Sequence, residues 1–203
     1  LHFSMKGARN NMIMVTGPSP SVGKSFICSN FSSVLAHTGV RVLLVDGDLR
    51  KGNLHRYFGL KTRLGGLSDV LAGRSEWKSV IHKTEVMGLD MISTGVIPPN
   101  PADLLMTERF AAFAEAACLN YDLVILDAPP LLPVTDAVLI GARAGTVFLV
   151  AKYDQHPMDE LHTCQKRLES HGIQISGVVF NDVKPLGMGN GRDYRYAYHY
   201  KYK

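Results

Sequence analysis

Short apolar runs alternate along the chain with stretches in which apolar residues recur every three or four positions. The runs are Met12–Thr16, Val40–Val45 (broken only by Arg41), Leu89–Ile92, Leu123–Leu126, Thr146–Ala151 and Ile175–Phe180. Runs of this length predict strands buried on both faces, Leu89–Ile92 being the weakest. Helical spacing covers Ser25–His37, where Phe26, Ile27, Phe31, Val34 and Leu35 share it before Gly39 stops it. It returns at Leu67–Leu71 and Trp77–Ile81 (split by Gly73), from about Ala102 to Leu119, at Thr135–Ala142, and at Met158–Ser170, ending near Gly172. Pro98-Pro99-Asn100-Pro101 is rigid punctuation. The alternation predicts an α/β fold, a mainly parallel sheet flanked by helices on both faces. The pattern fills residues 1–184. Residues 185–203 are expected to be a flexible tail, with three glycines followed by Tyr194, Tyr196, Tyr198, Tyr200 and Tyr202.

Composition narrows the function classes only a little. The chain has 203 residues and a formal charge of +4, from 22 basic and 18 acidic side chains. That charge is mild and scattered until the tail, so nucleic acid is not an expected partner. Cys28, Cys118 and Cys164 are far apart and odd in number, which reads as free buried thiols. His55, His82, His156 and His162 show no ligand spacing, and Trp77 reads as core. No run approaches a membrane span in length, and no signal-peptide pattern is present. The chain opens on Leu1 rather than Met, which is expected of a piece of a longer polypeptide with membrane segments upstream.

The candidate chemistry lies at three strand ends, where ligands bind on parallel sheets. Pro18–Ser25 after the first run occupies the place of a Walker A loop, although its usual first glycine falls on Pro18 and Gly17 comes one position early. Backbone amides of Ser21, Val22, Gly23, Lys24, Ser25 and Phe26 would wrap phosphates at the positive end of the following helix. Lys24 would reach the β and γ phosphates, and Ser25 would ligate Mg²⁺. Gly-Lys-[Ser/Thr] alone arises by chance in roughly one chain in ten of this length. The carboxylates make the case: Asp46 and Asp48 close the second run, and Asp127 closes the run Leu123–Leu126. Each single aspartate has the plainer reading of a turn or helix cap. Three on one sheet edge, beside a lysine loop, describe a site for a nucleoside triphosphate with Mg²⁺ held by Ser25, Asp46 and Asp127. Arg50 is open between a phosphate, a neighbouring subunit, a nearby aspartate and a surface salt bridge. Asn181, closing the last strand, is open between an adenine contact and a turn residue.

Together, the Walker A loop, Asp46-x-Asp48-x-Arg50, Asp127-Ala128-Pro129, the Pro98–Pro101 segment and the tyrosine-rich tail resemble the bacterial tyrosine kinases, from about Met12 to the end of the chain. The resemblance implies a P-loop NTPase fold and an ATP- and Mg²⁺-dependent kinase that autophosphorylates its tail tyrosines between subunits of a ring-like homo-oligomer. It implies a transmembrane activator, fused upstream or separate, and an opposing tyrosine phosphatase. It further implies a place at the inner face of the bacterial inner membrane and control of exopolysaccharide or capsule polymerisation and export. The Glu- and Arg-containing helix that packs neighbours in such rings has no counterpart in Leu1–Arg9.

For the chemistry, Lys24 is expected to neutralise the γ-phosphate. Asp46, near metal and nucleophile, is expected to accept the tyrosine proton with Asp48 assisting. Five phosphates would take the segment Arg192–Lys203 from +3 to roughly −5 to −7, repelling it from an acidic groove. The rival reading is a partitioning or positioning-type switch ATPase, which hydrolyses ATP without tyrosine transfer. Those proteins carry a second lysine early in the loop, where this chain has Ser19. A third reading is a nucleotide-binding scaffold without transfer activity.

Overall fold

Seven strands, β1 (Met12–Thr16), β2 (Val42–Asp46), β3 (Ile81–Lys83), β4 (Leu89–Ile92), β5 (Leu123–Asp127), β6 (Thr146–Lys152) and β7 (Gly177–Asn181), form one sheet in the order β3-β4-β2-β5-β1-β6-β7. The computed structural model describes residues 7–60, 65–153 and 155–183. All pairings are parallel except β3 against β4. The tail, with Tyr194, Tyr196, Tyr198, Tyr200 and Tyr202, lies outside the described residues.

The unbroken apolar runs are explained by two cores. Met12, Met14, Leu43, Val45, Val124 and Leu126 enter one cluster; their neighbours Ile13, Val15, Val42, Leu44, Leu123 and Ile125 enter the other. Successive side chains of a strand point to opposite faces, so a strand covered on both sides has no polar alternation. Helix α1 (Lys24–His37) and the short α2 (Leu54–Tyr57) cover one face through Cys28, Ala36 and Leu54. On the other lie α3 (Leu67–Leu71), α4 (Pro101–Leu105), α5 (Glu108–Asn120), α6 (Asp136–Gly141) and α7 (Met158–Glu169). Fully burying each large aliphatic side chain contributes roughly 1.5–3 kcal/mol.

Several boundaries differ from those the sequence pattern predicts. Trp77–Val80 is a 3₁₀ turn rather than part of a helix, and Ile81 opens strand β3, paired with Ile92. A short apolar stretch carries too few positions to separate the two periods. The expected helix over 102–119 is two helices, because Thr107 is extended and its hydroxyl donates to Leu104 O at 2.7 Å. Val40 and Arg41 precede β2. Arg41 instead joins the sheet floor by a two-bond ion pair with Asp122. Strand β7 begins at Gly177 rather than Ile175, and α2 is too short to leave a period. Trp77 sits at the core margin, edge-on to Phe113 with ring centroids 6.2 Å apart. All three cysteines are free, with Cys28 and Cys164 buried and Cys118 half-buried.

Candidate active site

The loop between β1 and α1 is shaped by two left-handed residues, Ser21 (φ 62) and Gly23 (φ 97). At Gly23 the left-handed turn is nearly free for glycine and costly for a residue with a Cβ. Helix α1 begins at Lys24, one residue earlier than its apolar spacing predicts, and no side chain caps it. Its first carbonyl partner outside the helix proper is Gly23 O, which accepts from the Ile27 amide at 2.9 Å. The amides of Lys24, Ser25 and Phe26 are therefore left for an external anion, at the positive end of a 14-residue helix. Lys24 is only 8% exposed, yet it joins none of the five ion pairs among the described residues. Val22 is fully buried and offers its backbone alone, whereas Phe26 is half-exposed.

Strand register brings the carboxylates together. Asp46 and Asp127 are direct neighbours across β2 and β5, and β5 lies beside β1, which leads into the loop. The Ser25 hydroxyl donates to Asp127 Oδ2 at 2.5 Å, and Cys28 Sγ lies 3.8 Å from Asp127 Oδ1. Burial, opposed by the Ser25 hydroxyl and the Lys24 charge, pushes Asp127 up to about 6. Burial and then the Asp127 carboxylate push Asp46 up to about 8, against the pull of the Leu54 amide, which donates to Asp46 Oδ2 at 3.0 Å. Two acidic groups this close share the cost of ionising without a cation. Burial and Asp127 likewise raise the Cys28 thiol.

These residues fit a magnesium–triphosphate on their own chemistry. Asp46 Oδ1 is buried without a hydrogen-bond partner, the helix N-terminus is uncapped, and a buried ammonium stands beside them. Among the described residues no three His, Cys, Asp or Glu side chains gather to hold a metal by themselves. Mg²⁺ would accordingly take most of its oxygens from Ser25, phosphate and water, as that ion prefers.

Asp48 caps a turn: its Oδ1 accepts the amides of Arg50 (3.0 Å) and Lys51 (2.9 Å). Arg50 turns to Asp136, a residue that the sequence pattern gave no reason to single out. Asn181 donates from Nδ2 to Val22 O at 3.0 Å and so braces the phosphate loop from the end of β7. Two further contributors escape sequence reasoning. Ser19 is hydrogen-bonded to His156 Nε2 at 2.8 Å, tying the loop to the segment after β6. Gly52 lies directly over Asp46, where an added Cβ would stand 1.7 Å from Thr94 Oγ1 and 2.5 Å from both Asp46 carboxylate oxygens. Gly52→Ala is expected to lower stability by about 1–3 kcal/mol through overpacking, read as a shifted urea midpoint. A midpoint equal to wild type would show that the loop does not press on Asp46.

The segment after Asp127 completes the cradle. Leu131 and Leu132 amides donate to Gly17 O (2.8 Å) and Pro18 O (3.2 Å), and the Thr16 hydroxyl donates to Pro129 O at 2.8 Å.

Comparison with known proteins agrees with this geometry. A family model described as an AAA domain matches residues 11–169. The tyrosine-protein kinase wzc of Salmonella typhimurium is 44% identical over 203 residues, which is 100% of this chain and 28% of that protein. The chain spans 26–28% of the length of such curated relatives. The kinase domain of Escherichia coli tyrosine kinase ETK superposes with a TM-score of 0.88 at 39% identity, covering 95% of this chain and 76% of that one. The septum site-determining protein MinD complexed with Mg-ADP, from Pyrococcus horikoshii OT3, superposes at 0.72 with 22% identity, covering 84% and 69%. That last likeness speaks for the fold alone.

Proposed function

The chain belongs to the family of bacterial tyrosine kinases, and we propose that it transfers the γ-phosphoryl group of ATP to its own C-terminal tyrosines, Tyr194, Tyr196, Tyr198, Tyr200 and Tyr202. The observation that carries this reading is the meeting of Ser25 and Asp127 at 2.5 Å, with Asp46 in register beside them, under the uncapped start of α1.

Phosphoryl transfer asks for positioning and charge stabilisation more than covalent chemistry. The loop amides and Lys24 hold the phosphates and offset the charge that builds on them. Ser25, Asp46 and Asp127 would hold Mg²⁺, which would supply further charge neutralisation when bound. Asp46, sealed beneath Gly52, would serve as a metal-side carboxylate. The proton-accepting role expected of Asp46 passes to Asp48 in this reading, because Asp46 is fully buried while Asp48 is half-exposed and, with Oδ1 engaged in its turn, keeps Oδ2 for the proton of an incoming tyrosine. A phenol of pKa near 10 needs such an acceptor at neutral pH.

The wider reading follows from the same family. This chain acts as a homo-oligomer at the inner face of the bacterial inner membrane, under a transmembrane activator and against a tyrosine phosphatase, and controls exopolysaccharide or capsule polymerisation and export. Among the described residues no helix is long and apolar enough to cross a membrane. The test is mass spectrometry of the tail after incubation with ATP and Mg²⁺. Phosphotyrosine among residues 194–202 is the expected outcome. ATP hydrolysis with an unmodified tail would replace the kinase by a switch ATPase. Binding without either reaction would leave a scaffold.

A further inference from the structure

We propose that Arg50 and Asp136 form a strut that fixes Asp48 relative to Asp127, making both of them positioning residues for phosphoryl transfer; the inference rests on the kinase reading above. Arg50 Nε donates to Asp136 Oδ2 at 2.8 Å and its Nη2 to Oδ1 at 3.0 Å. Two parallel bonds fix orientation as well as distance. Asp136, the first residue of α6, is fully buried, and Arg50 is the cation it is paired with. Arg50 itself is exposed, but removing it would strand the Asp136 charge in the interior, which favours keeping the contact.

The strut acts on Asp48 through the turn they share. Asp48 Oδ1 accepts the Arg50 and Lys51 amides, and Asp48 O accepts the Gly52 amide at 2.8 Å. The side chain of Asp48 and the backbone of Arg50 thus close one small ring of bonds. On the other flank the Gly47 amide donates to Asp127 O at 2.9 Å. The turn is bolted at both sides to the segment running from β5 to α6, once at Asp127 itself and once at Asp136. The acceptor carboxylate and the metal-side carboxylate therefore move as a unit, and their spacing is set before nucleotide arrives. A misplacement of about 1 Å in such an arrangement can cost roughly 100-fold in rate.

The competing role for Arg50 is a direct contact with a nucleotide phosphate. Both roles lose transfer on mutation, but they differ in where else the loss falls. The variants are Arg50→Lys, which keeps the charge and loses the fork, and Asp136→Asn, with Asp136→Glu in reserve should the asparagine fail to fold. Three quantities are read on the 203-residue chain: the rate constant of tail phosphorylation at saturating ATP and Mg²⁺, the affinity for a fluorescent ADP analogue, and amide hydrogen exchange over residues 47–52. The strut predicts a rate lowered roughly 10- to 100-fold, ADP affinity within about twofold of wild type, and faster exchange in the turn. ADP affinity falling in step with the rate while exchange stays at wild type would overturn it, as would an unchanged rate. Should the wild-type chain form no phosphotyrosine, the kinase reading fails by itself. The strut is then judged by exchange and affinity alone, wild-type exchange in both variants refuting it.

Discussion

A Lys24→Met chain forms no measurable phosphotyrosine on its tail with ATP and Mg²⁺, its transfer rate falling by about 10²–10³. Lys24 is the single buried ammonium at the mouth of the phosphate loop, 8% exposed and engaged in no ion pair among the described residues. A charge held in place without a partner is matched to charge that develops elsewhere, here on the transferring phosphoryl group. Methionine keeps the apolar stem and removes only the ammonium. The relief of no longer burying an ammonium is offset by the loss of its pull on Asp127, so the melting temperature is expected to stay near wild type. Loss of transfer with an intact melting transition assigns the effect to chemistry. Wild-type phosphotyrosine in the variant would refute the site.

Asp127→Asn is expected to lose transfer by a similar factor, about 10²–10³, while making the nucleotide-free protein more stable at alkaline pH. Asp127 is raised to about 6 and Asp46 to about 8, in each case chiefly by burial. Both native values lie above the unfolded carboxylate value of about 3.9. Between these values the native state binds more protons than the unfolded state, so stability falls as pH rises. The stabilisation is complete below about pH 4 and is lost as pH climbs through about 6 for Asp127 and about 8 for Asp46. Asparagine removes one ionisation and also the charge that is the second cause of the Asp46 shift. The expected gain is on the order of 1–3 kcal/mol at pH 8, shrinking towards pH 5, measured by urea denaturation at both values. An equal gain at the two pH values, or transfer at the wild-type rate, would count against the assignment.

Much of this arrangement was legible in the sequence because it is written in local order. An apolar run ending in Asp46 or Asp127, and another leading into Gly23-Lys24-Ser25, locate three strand ends, and parallel sheets gather such ends on one edge. For Asp48 the structure shows the cap reading, one carboxylate oxygen closing the turn, and that leaves the other oxygen free for the role proposed above. Asp136, His156 and Gly52 were not legible. Their significance lies in what they touch, Arg50, Ser19 and Asp46, and nothing in their immediate neighbours encodes it. Strand β3 and helix α2 were missed because three or four residues cannot display a period.

The bond from Asn181 to Val22 O places the last described strand against the phosphate loop itself, so the chain leaves the described residues beside that loop. Tyr194 stands thirteen residues beyond Asn181 and Tyr202 twenty-one. Fully stretched, those lengths reach roughly 45 Å and roughly 70 Å. Contour length thus forbids neither self-modification nor reach across to an adjoining copy. If the transfer proposed above runs between docked copies, its rate is expected to fall on dilution; if it runs within one chain, dilution is expected to leave it unchanged.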